Sequence, residues 1–243
     1  MFGINRSFKG DIEILKNKLQ SMEPFTFSKF ADGEWSVITG ESVNNGEFRY
    51  DSCSSLDIDQ KLELVDAFKY RNKNYYVGIS CPCCQNISIH NKMKEVSGQQ
   101  ESSLTWANIW VNSNYGYFIN SVVPVFDEYD IFIVANENSR FERLPFVPKK
   151  IYPVSNNAWV SDYGLIDDIK RDIQQSLITR DVKNYLFLFC CGPFGNILAH
   201  QLNEFYPNYT YLDIGSTLNP YLGTGFYRGY YGEHSSMKDC IWG

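Results

Sequence analysis

A chain of 243 residues with 44% hydrophobic and 21% charged residues has the composition of a globular protein, which excludes wholesale disorder. Its length suits one large domain around a buried sheet, so we expect a single domain over residues 1–243, with a core over about residues 25–218 and a tail over residues 219–243. The formal net charge of −6, without a run of Lys or Arg, argues against a nucleic-acid partner.

The sequence shows no sign of a membrane segment. No apolar stretch approaches the ~20 residues that a spanning helix needs, and the first residues lack the apolar segment of a secretion signal. We therefore expect no transmembrane segment and a cytoplasmic location.

The cysteines are expected to be reduced thiols. There are seven of them, an odd number, and nothing marks the chain for secretion. Cys81, Cys83 and Cys84 are spaced more tightly than a usual zinc knuckle, and Cys190 and Cys191 are adjacent in an apolar run. Without a second suitable pair, the pattern favours buried or loop thiols over a structural metal site.

Apolar periodicity predicts helices that alternate with strands along the chain. Helices are predicted over residues 11–22, 35–40, 56–70, 104–118, 165–178 and 196–205, and strands over residues 25–30, 75–79, 131–134, 151–154, 185–190 and 209–214. His90 is assigned to a polar loop. Trp106 and Trp110 lie four positions apart in the predicted helix over residues 104–118, which favours a core stripe over stacking on an acceptor sugar.

This alternation implies crossover connections and an α/β fold of the Rossmann-like type, with a mostly parallel sheet and helices on both faces. Ligands of such sheets bind beyond the carboxyl ends of the strands. The loops expected to form the site are therefore residues 32–34, 80–85, 136–140, 155–159, 192–196 and 213–217. The tail after Asn219 has no clear period, and we expect a loop that closes over the sheet.

The first candidate constellation is the turn Asp32-Gly33-Glu34 at the end of a strand. Two carboxylates two positions apart can face one point, and their hard oxygens suit Mg²⁺ or Mn²⁺, which bridges diphosphate oxygens. Gly33 would let a ligand approach the backbone. Alternatively, Asp32 caps the following helix and Glu34 interacts with its positive end. Spacing alone does not separate these interpretations.

The second constellation is the turn Gly192-Pro193-Phe194-Gly195 between an apolar strand and a helix. The N–H groups at such a helix start can bind a diphosphate, although many proteins use this turn without a ligand. Asp213 follows Gly192 by about 20 residues, the spacing of an acid that binds ribose in Rossmann proteins. This spacing makes an enzyme that uses NAD or S-adenosylmethionine an alternative, although the turn lacks the full GxGxxG pattern of such enzymes. A non-catalytic binding protein is a further alternative.

The segment Phe27 to Glu34 resembles the signature of the GT-D glycosyltransferases, formerly the domain of unknown function 1792, in which an Asp-x-Glu motif serves metal and nucleotide-sugar binding. The stretch over residues 153–159 and that over residues 191–215 also resemble this family. Two departures stand out: Lys29 occupies the place of an Arg and loses its bidentate fork, and Ala31 replaces a Gly.

The resemblance implies a metal-dependent hexosyltransferase that moves a sugar from a nucleoside diphosphate sugar, UDP-linked, to a hydroxyl of a glycan or glycoconjugate. Asp32 and Glu34 would hold Mn²⁺ or Mg²⁺, with Lys29 and the Gly192 turn assisting. Asn157 and Asp213 would position the nucleoside or sugar. Arg140 and Arg228 are further candidates for phosphate binding, although each also fits a solvated surface Arg.

Overall fold

The computed structural model describes residues 7–179, 184–225, 228–229 and 239–243. Its strands are β1 (Thr26–Lys29), β2 (Val43–Asn44), β3 (Arg49–Tyr50), β4 (Tyr75–Ile79), β5 (Leu104–Trp106), β6 (Asp130–Asn136), β7 (Lys150–Val154), β8 (Tyr185–Cys190) and β9 (Thr210–Asp213). Its α-helices are α1 (Phe8–Gln20), α2 (Asp32–Thr39), α3 (Ser55–Lys69), α4 (Ile87–Ser97), α5 (Tyr115–Tyr117), α6 (Ala158–Ser161), α7 (Leu165–Ile178), α8 (Pro193–Phe205) and α9 (Asn219–Leu222). Short 3₁₀ or π segments lie at Glu101–Ser103, Asn112–Asn114, Phe118–Val122, Val123–Glu128, Phe141–Arg143 and Gly215–Leu218.

Seven of the strands form one sheet in the order β5-β4-β1-β9-β8-β6-β7, and every neighbouring pair is parallel. The short strands β2 and β3 form a separate antiparallel hairpin. The predicted Rossmann-like α/β fold, with a mostly parallel sheet, is therefore confirmed.

Side chains alternate across the sheet and build an apolar core on each face. In β8, Phe187 and Phe189 pack with α3, α7 and α8 on one face, whereas Leu186 and Leu188 pack with α1 and the segment over residues 109–126 on the other. A strand that is buried on both faces needs a continuous apolar run, which β8 supplies. The helices therefore cover both faces, as predicted.

The predicted helix over residues 104–118 is wrong. Leu104–Trp106 is a strand paired with β4, and the chain then turns, with Ile109 N–H donating to the Trp106 carbonyl at 3.1 Å. An apolar spacing of four positions fits a helix, but pairing with the sheet edge decided the conformation. Trp106 and Trp110 are each 1% exposed, so both belong to the core, as the favoured interpretation held.

The predicted loop around His90 is also wrong, because His90 is buried within α4 and its Nδ1 lies 2.9 Å from the Ser80 carbonyl oxygen. Two boundary signals for α4 were present in the sequence. Asn86 caps its start by accepting from Ile89 N–H at 2.9 Å, and Gly98 ends it in the left-handed conformation.

The chain reverses its direction of winding between β1 and β9. From β1 it continues outwards to β4 and β5, whereas β9 is reached from the opposite half of the sheet through β8. In open α/β sheets a ligand crevice forms at this point. Of the predicted tail, α9 forms a short helix, while residues 226–227 and 230–238 lie outside the described part. No helix among the described residues has the length and apolar character needed to cross a bilayer.

Candidate functional site

A cavity of about 640 Å³ opens over the carboxyl ends of the strands around β1 and β9. Its volume lies in the range of small-molecule sites. All of the predicted loops contribute lining residues except residues 80–85, whose place is taken by the segment after β5. The lining comprises Lys29, Ala31 to Glu34, Asn45, Glu47, Phe48, Ala107, Asn108, Trp110, Val111, Asn136, Val154 to Asn156, Ala158, Cys190 to Gly192, Ile214 to Thr217, Asn219, Thr224, Gly225 and Arg228.

Asp32, Gly33 and Glu34 form the first turn of α2 and line this cavity. Asp32 is exposed, whereas Glu34 is buried at 6% exposure. Glu34 Oε2 accepts a hydrogen bond from Ala31 N–H at 2.9 Å, so this carboxylate stabilises the start of the helix, as the capping alternative proposed. Asp32 makes no such cap, because Ala31 is the residue that precedes the helix. Two acids of the motif therefore share one cavity wall with different degrees of burial.

Asp213 lies beneath the cavity and joins two of its walls. Its Oδ2 accepts from Lys29 N–H at 3.2 Å and its Oδ1 from Gly215 N–H at 3.1 Å. Burial raises the pKa of Asp213 to about 7, and the charge of Glu34 adds to this shift while Lys29 opposes it. Because Asp213 does not line the cavity, the geometry does not support the expected contact with a ribose; its carboxyl group holds β1 and the loop after β9 together instead.

The raised pKa of Asp213 predicts a stability that depends on pH. The folded state keeps the proton from the ordinary pKa of 3.8 up to about 7, whereas the unfolded chain loses it. Relative to Asp213→Asn, the wild type should therefore lose up to about 1.4 kcal/mol of unfolding free energy per pH unit across this window. Urea unfolding of both proteins at several pH values measures the difference, and a difference that does not change with pH would contradict the shift.

Only one residue of the predicted turn before α8 reaches the cavity. Gly192 lines it and has φ 58° and ψ −143°, a conformation that is nearly restricted to Gly. Pro193 is the first helical residue and Phe194 is fully buried. A Cβ at Gly195 would lie 3.1 Å from Phe189 Cβ and 3.3 Å from Asp213 Cγ, so this Gly allows α8 to approach the sheet. Pro193, Phe194 and Gly195 therefore do not contact the cavity. They support the turn by packing beneath it against the sheet.

Asn157 does not line the cavity, and its side chain already has partners. It has a positive φ of 61°, and its Oδ1 accepts from Arg49 N–H at 2.9 Å and Trp159 Nε1 at 2.8 Å. The predicted contact with a nucleoside or sugar therefore lacks geometric support. The neighbouring Asn156 lines the cavity instead.

The two predicted arginines occupy different positions. Arg140 is exposed outside the lining, and its N–H donates to the Leu222 carbonyl at 2.8 Å, so the surface interpretation fits it better. Arg228 lines the cavity and forms an ion pair with Glu47 at 2.9 Å. A cation of the tail thus reaches the site.

No family model matches the sequence, and no curated protein matches it either. Two solved structures do match: a selenomethionine-substituted structure of the domain of unknown function 1792, and one described as showing that this highly conserved domain has a distinct glycosyltransferase fold. Each is 15% identical, with a TM-score of 0.54 over 85% of this chain and 77% of the other. The chain has this glycosyltransferase fold. The resemblance drawn from the sequence is confirmed at that level.

One wall of the cavity in this glycosyltransferase fold was not predicted from the sequence. It is the β2–β3 hairpin, which contributes Asn45, Glu47 and Phe48. The Phe48 ring lies 3.1 Å from where a Cβ of Gly33 would be and 3.5 Å from that of Gly192. It therefore packs between the two motif turns. The dipeptide Asn45-Gly46 is a hairpin signal, but nothing local in the sequence indicates where the hairpin docks.

Proposed function

We propose that this protein is a glycosyltransferase that transfers a hexosyl group from a nucleoside diphosphate sugar, UDP-linked, to a hydroxyl of a glycan or glycoconjugate. The observation that carries the proposal is the convergence of Asp32, Glu34 and Lys29 with the start of α8 in one cavity of a glycosyltransferase fold. The cavity is large enough for a nucleotide sugar.

The cavity supplies two positively charged features that suit a diphosphate donor, the Lys29 side chain and the N-terminus of α8. Lys29 lines it, and its stem packs on Gly215, where a Cβ would lie 3.4 Å from Lys29 Cε. The N-terminus of α8 begins at Gly192, and helix N-termini favour anions. In this proposal, Lys29 and the α8 turn hold the diphosphate and stabilise the charge that develops on the leaving nucleoside diphosphate.

The carboxylates fit a hard divalent cation. Glu34 uses Oε2 to accept from Ala31 N–H, which fixes the orientation of its carboxylate, and the exposed Asp32 lies two residues before it. Carboxylate oxygens are ligands that Mg²⁺ and the similar Mn²⁺ bind readily. When bound, such an ion neutralises charge on the diphosphate. We assign Asp32 and Glu34 to this metal.

Calorimetric titration of the wild type with UDP and GDP, with and without Mn²⁺, tests the donor class. We expect UDP to bind more tightly than GDP, and Mn²⁺ to strengthen binding about tenfold or more, since an ion held by Asp32 and Glu34 would add positive charge at the diphosphate site. NAD and S-adenosylmethionine serve as competing ligands in the same assay. Binding of either of these in place of the nucleoside diphosphates would identify a different Rossmann enzyme, and no binding at all would favour a non-catalytic protein.

Lys29→Gln is expected to weaken the affinity for UDP by about tenfold, because it removes one charged hydrogen-bond donor from the diphosphate site. Lys29→Arg should retain most of the affinity, since the charge is kept. Lys73→Gln is the matched control, because Lys73 is exposed in the loop that precedes β4, at the amino ends of the strands, whereas the cavity lies over their carboxyl ends. Equal affinity of Lys29→Gln and Lys73→Gln would remove Lys29 from the donor site.

A further inference from the structure

Four cysteines from two distant parts of the chain meet beside the cavity. Cys81, Cys83 and Cys84 lie in the loop after β4, and Cys240 lies 156 positions beyond Cys84. Their Sγ atoms all lie within 4.8 Å of one another. Cys81 and Cys240 are buried, Cys83 is half-buried and Cys84 is exposed. The spacing of Cys81, Cys83 and Cys84 counts against a zinc knuckle in the sequence. In the structure, the distant Cys240 adds a fourth thiol to these three.

The distances between the sulfur atoms suit a single ion. Cys81 Sγ lies 3.1 Å from Cys83 Sγ, and Cys84 Sγ lies 3.9 Å from Cys240 Sγ. Four thiolates around one tetrahedral zinc ion, with bonds of about 2.3 Å, are about 3.8 Å apart. A disulfide would bring two sulfur atoms to about 2.05 Å. The 3.9 Å separation matches this value, the 3.1 Å separation would have to lengthen around an ion, and both exceed a disulfide bond. The four sulfur atoms are therefore not bonded to one another and lie close to the arrangement of a tetrathiolate site.

Two amide side chains donate to these sulfur atoms. Asn108 Nδ2 lies 3.2 Å from Cys84 Sγ, and Asn112 Nδ2 lies 3.3 Å from Cys240 Sγ and 3.7 Å from Cys84 Sγ. Asn112 is held at a positive φ of 54°, which Asn tolerates better than most residues. Neutral thiols are weak hydrogen-bond acceptors. In metal sites, by contrast, hydrogen bonds from neighbouring groups to the ligands are a regular feature, because they orient the ligands and stabilise their charge.

We propose that Cys81, Cys83, Cys84 and Cys240 bind one zinc ion as a structural site. On binding, the four thiols release their protons to solvent and remain as thiolates on the ion. A complex of one divalent ion and four thiolates carries a net negative charge, which the amide N–H groups of Asn108 and Asn112 would stabilise by donating hydrogen bonds to the sulfur atoms. Its four ligands are distinct from the residues that we assign to the donor and its metal.

The site would fasten the end of the chain to the sheet. Trp242 already packs edge-on against His90 and Trp106, with ring centroids 4.8 and 5.1 Å apart. Asp239 forms an ion pair with Lys9 at 3.6 Å. Because Asn108 both lines the cavity and donates to Cys84, the ion would also fix one wall of the donor site.

Elemental analysis of protein purified under reducing conditions without chelator tests the proposal. We expect about one zinc per chain in the wild type, as a closed tetrahedral site requires. The double substitution Cys81→Ser and Cys240→Ser should lose the zinc. Cys53→Ser is the matched control, because Cys53 is an exposed thiol outside the cluster, and it should retain the metal.

Cobalt substitution identifies the ligands without relying on a variant that folds poorly. Metal-free wild type titrated with Co²⁺ should show thiolate-to-cobalt charge-transfer bands and the visible bands of a tetrahedral ion, and these should persist in a protein with Asp32→Asn and Glu34→Gln. Loss of the bands in that variant would assign the metal to the cavity and overturn the proposal. So would a wild type without zinc and without cobalt bands, or an intact mass that reveals a disulfide among these cysteines.

Discussion

Replacing Asp32 by Asn, or Glu34 by Gln, is expected to lower the rate of sugar transfer by about a hundredfold or more. Each change removes one negative oxygen ligand from the proposed metal, and stabilisation of charge by a metal ion is worth several kcal/mol in a transition state. Transfer from a UDP-sugar, measured as release of UDP over a range of Mn²⁺ concentrations, tests this. Excess Mn²⁺ should restore part of the activity if the loss is one of metal affinity.

Glu34 requires a pair of variants, because its carboxylate also stabilises the start of α2. Gln can still accept from Ala31 N–H, whereas Ala cannot. Glu34→Gln should therefore lose activity with little loss of stability, while Glu34→Ala should lose activity and about 0.5–2 kcal/mol of unfolding free energy.

Glu41 provides the matched control for both carboxylates. It lies just beyond the other end of α2, is exposed and does not line the cavity. Glu41→Gln should retain full activity. If Asp32→Asn and Glu34→Gln transferred sugar within a fewfold of Glu41→Gln, the metal role of the motif would be refuted.

Trp159→Ala is expected to cost about 3–5 kcal/mol of unfolding free energy, the range for truncating a large buried aromatic. Trp159 is 1% exposed, and its ring packs against Phe48 at 5.9 Å and Tyr50 at 6.0 Å between centroids. Its Nε1 also donates to the Arg49 carbonyl at 3.2 Å and to Asn157 at 2.8 Å. Urea unfolding followed by circular dichroism measures the loss.

Trp159→Phe separates the ring from its hydrogen bonds. It keeps much of the packing but leaves the Arg49 carbonyl without its donor, so its cost should be smaller, at about 1–3 kcal/mol. Since Trp159 supports the β2–β3 hairpin, Trp159→Ala should also weaken UDP binding under conditions in which the variant is still folded. Unchanged affinity in that variant would show that the hairpin wall contributes nothing to donor binding.

Strands β1, β4, β6, β7, β8 and β9 and helices α1, α2, α3, α7 and α8 were predictable because each carries a local signal. The apolar run of β8 and the period of α7 predicted both elements with the bounds found in the structure. Residues 104–118 were wrongly predicted as a helix because two Trp four positions apart satisfy a helical period. The strand that hydrogen-bonds to β5 is β4, which lies elsewhere in the sequence.

The candidate site was predictable in position but not in detail. The carboxyl ends of parallel strands had to meet, which brought Asp32, Glu34, Lys29 and Gly192 to one cavity. Whether a side chain faces that cavity depends on tertiary contacts. The sequence therefore could not show that the side chains of Asn157 and Asp213 form hydrogen bonds within the protein and do not line the cavity. Cys240 shows the same limit, because no local pattern relates it to a loop 156 positions earlier.

The pairing of β1 with β9 makes the proposed donor site dependent on almost the whole chain. The bond from Lys29 N–H to Asp213 spans 184 positions, so closing it carries a large entropic cost and should occur late in folding. Until β9 is inserted, one edge of β1 remains open to any other strand. During refolding the chain should therefore be prone to aggregation at this edge, and nucleotide binding should be among the last native properties to return.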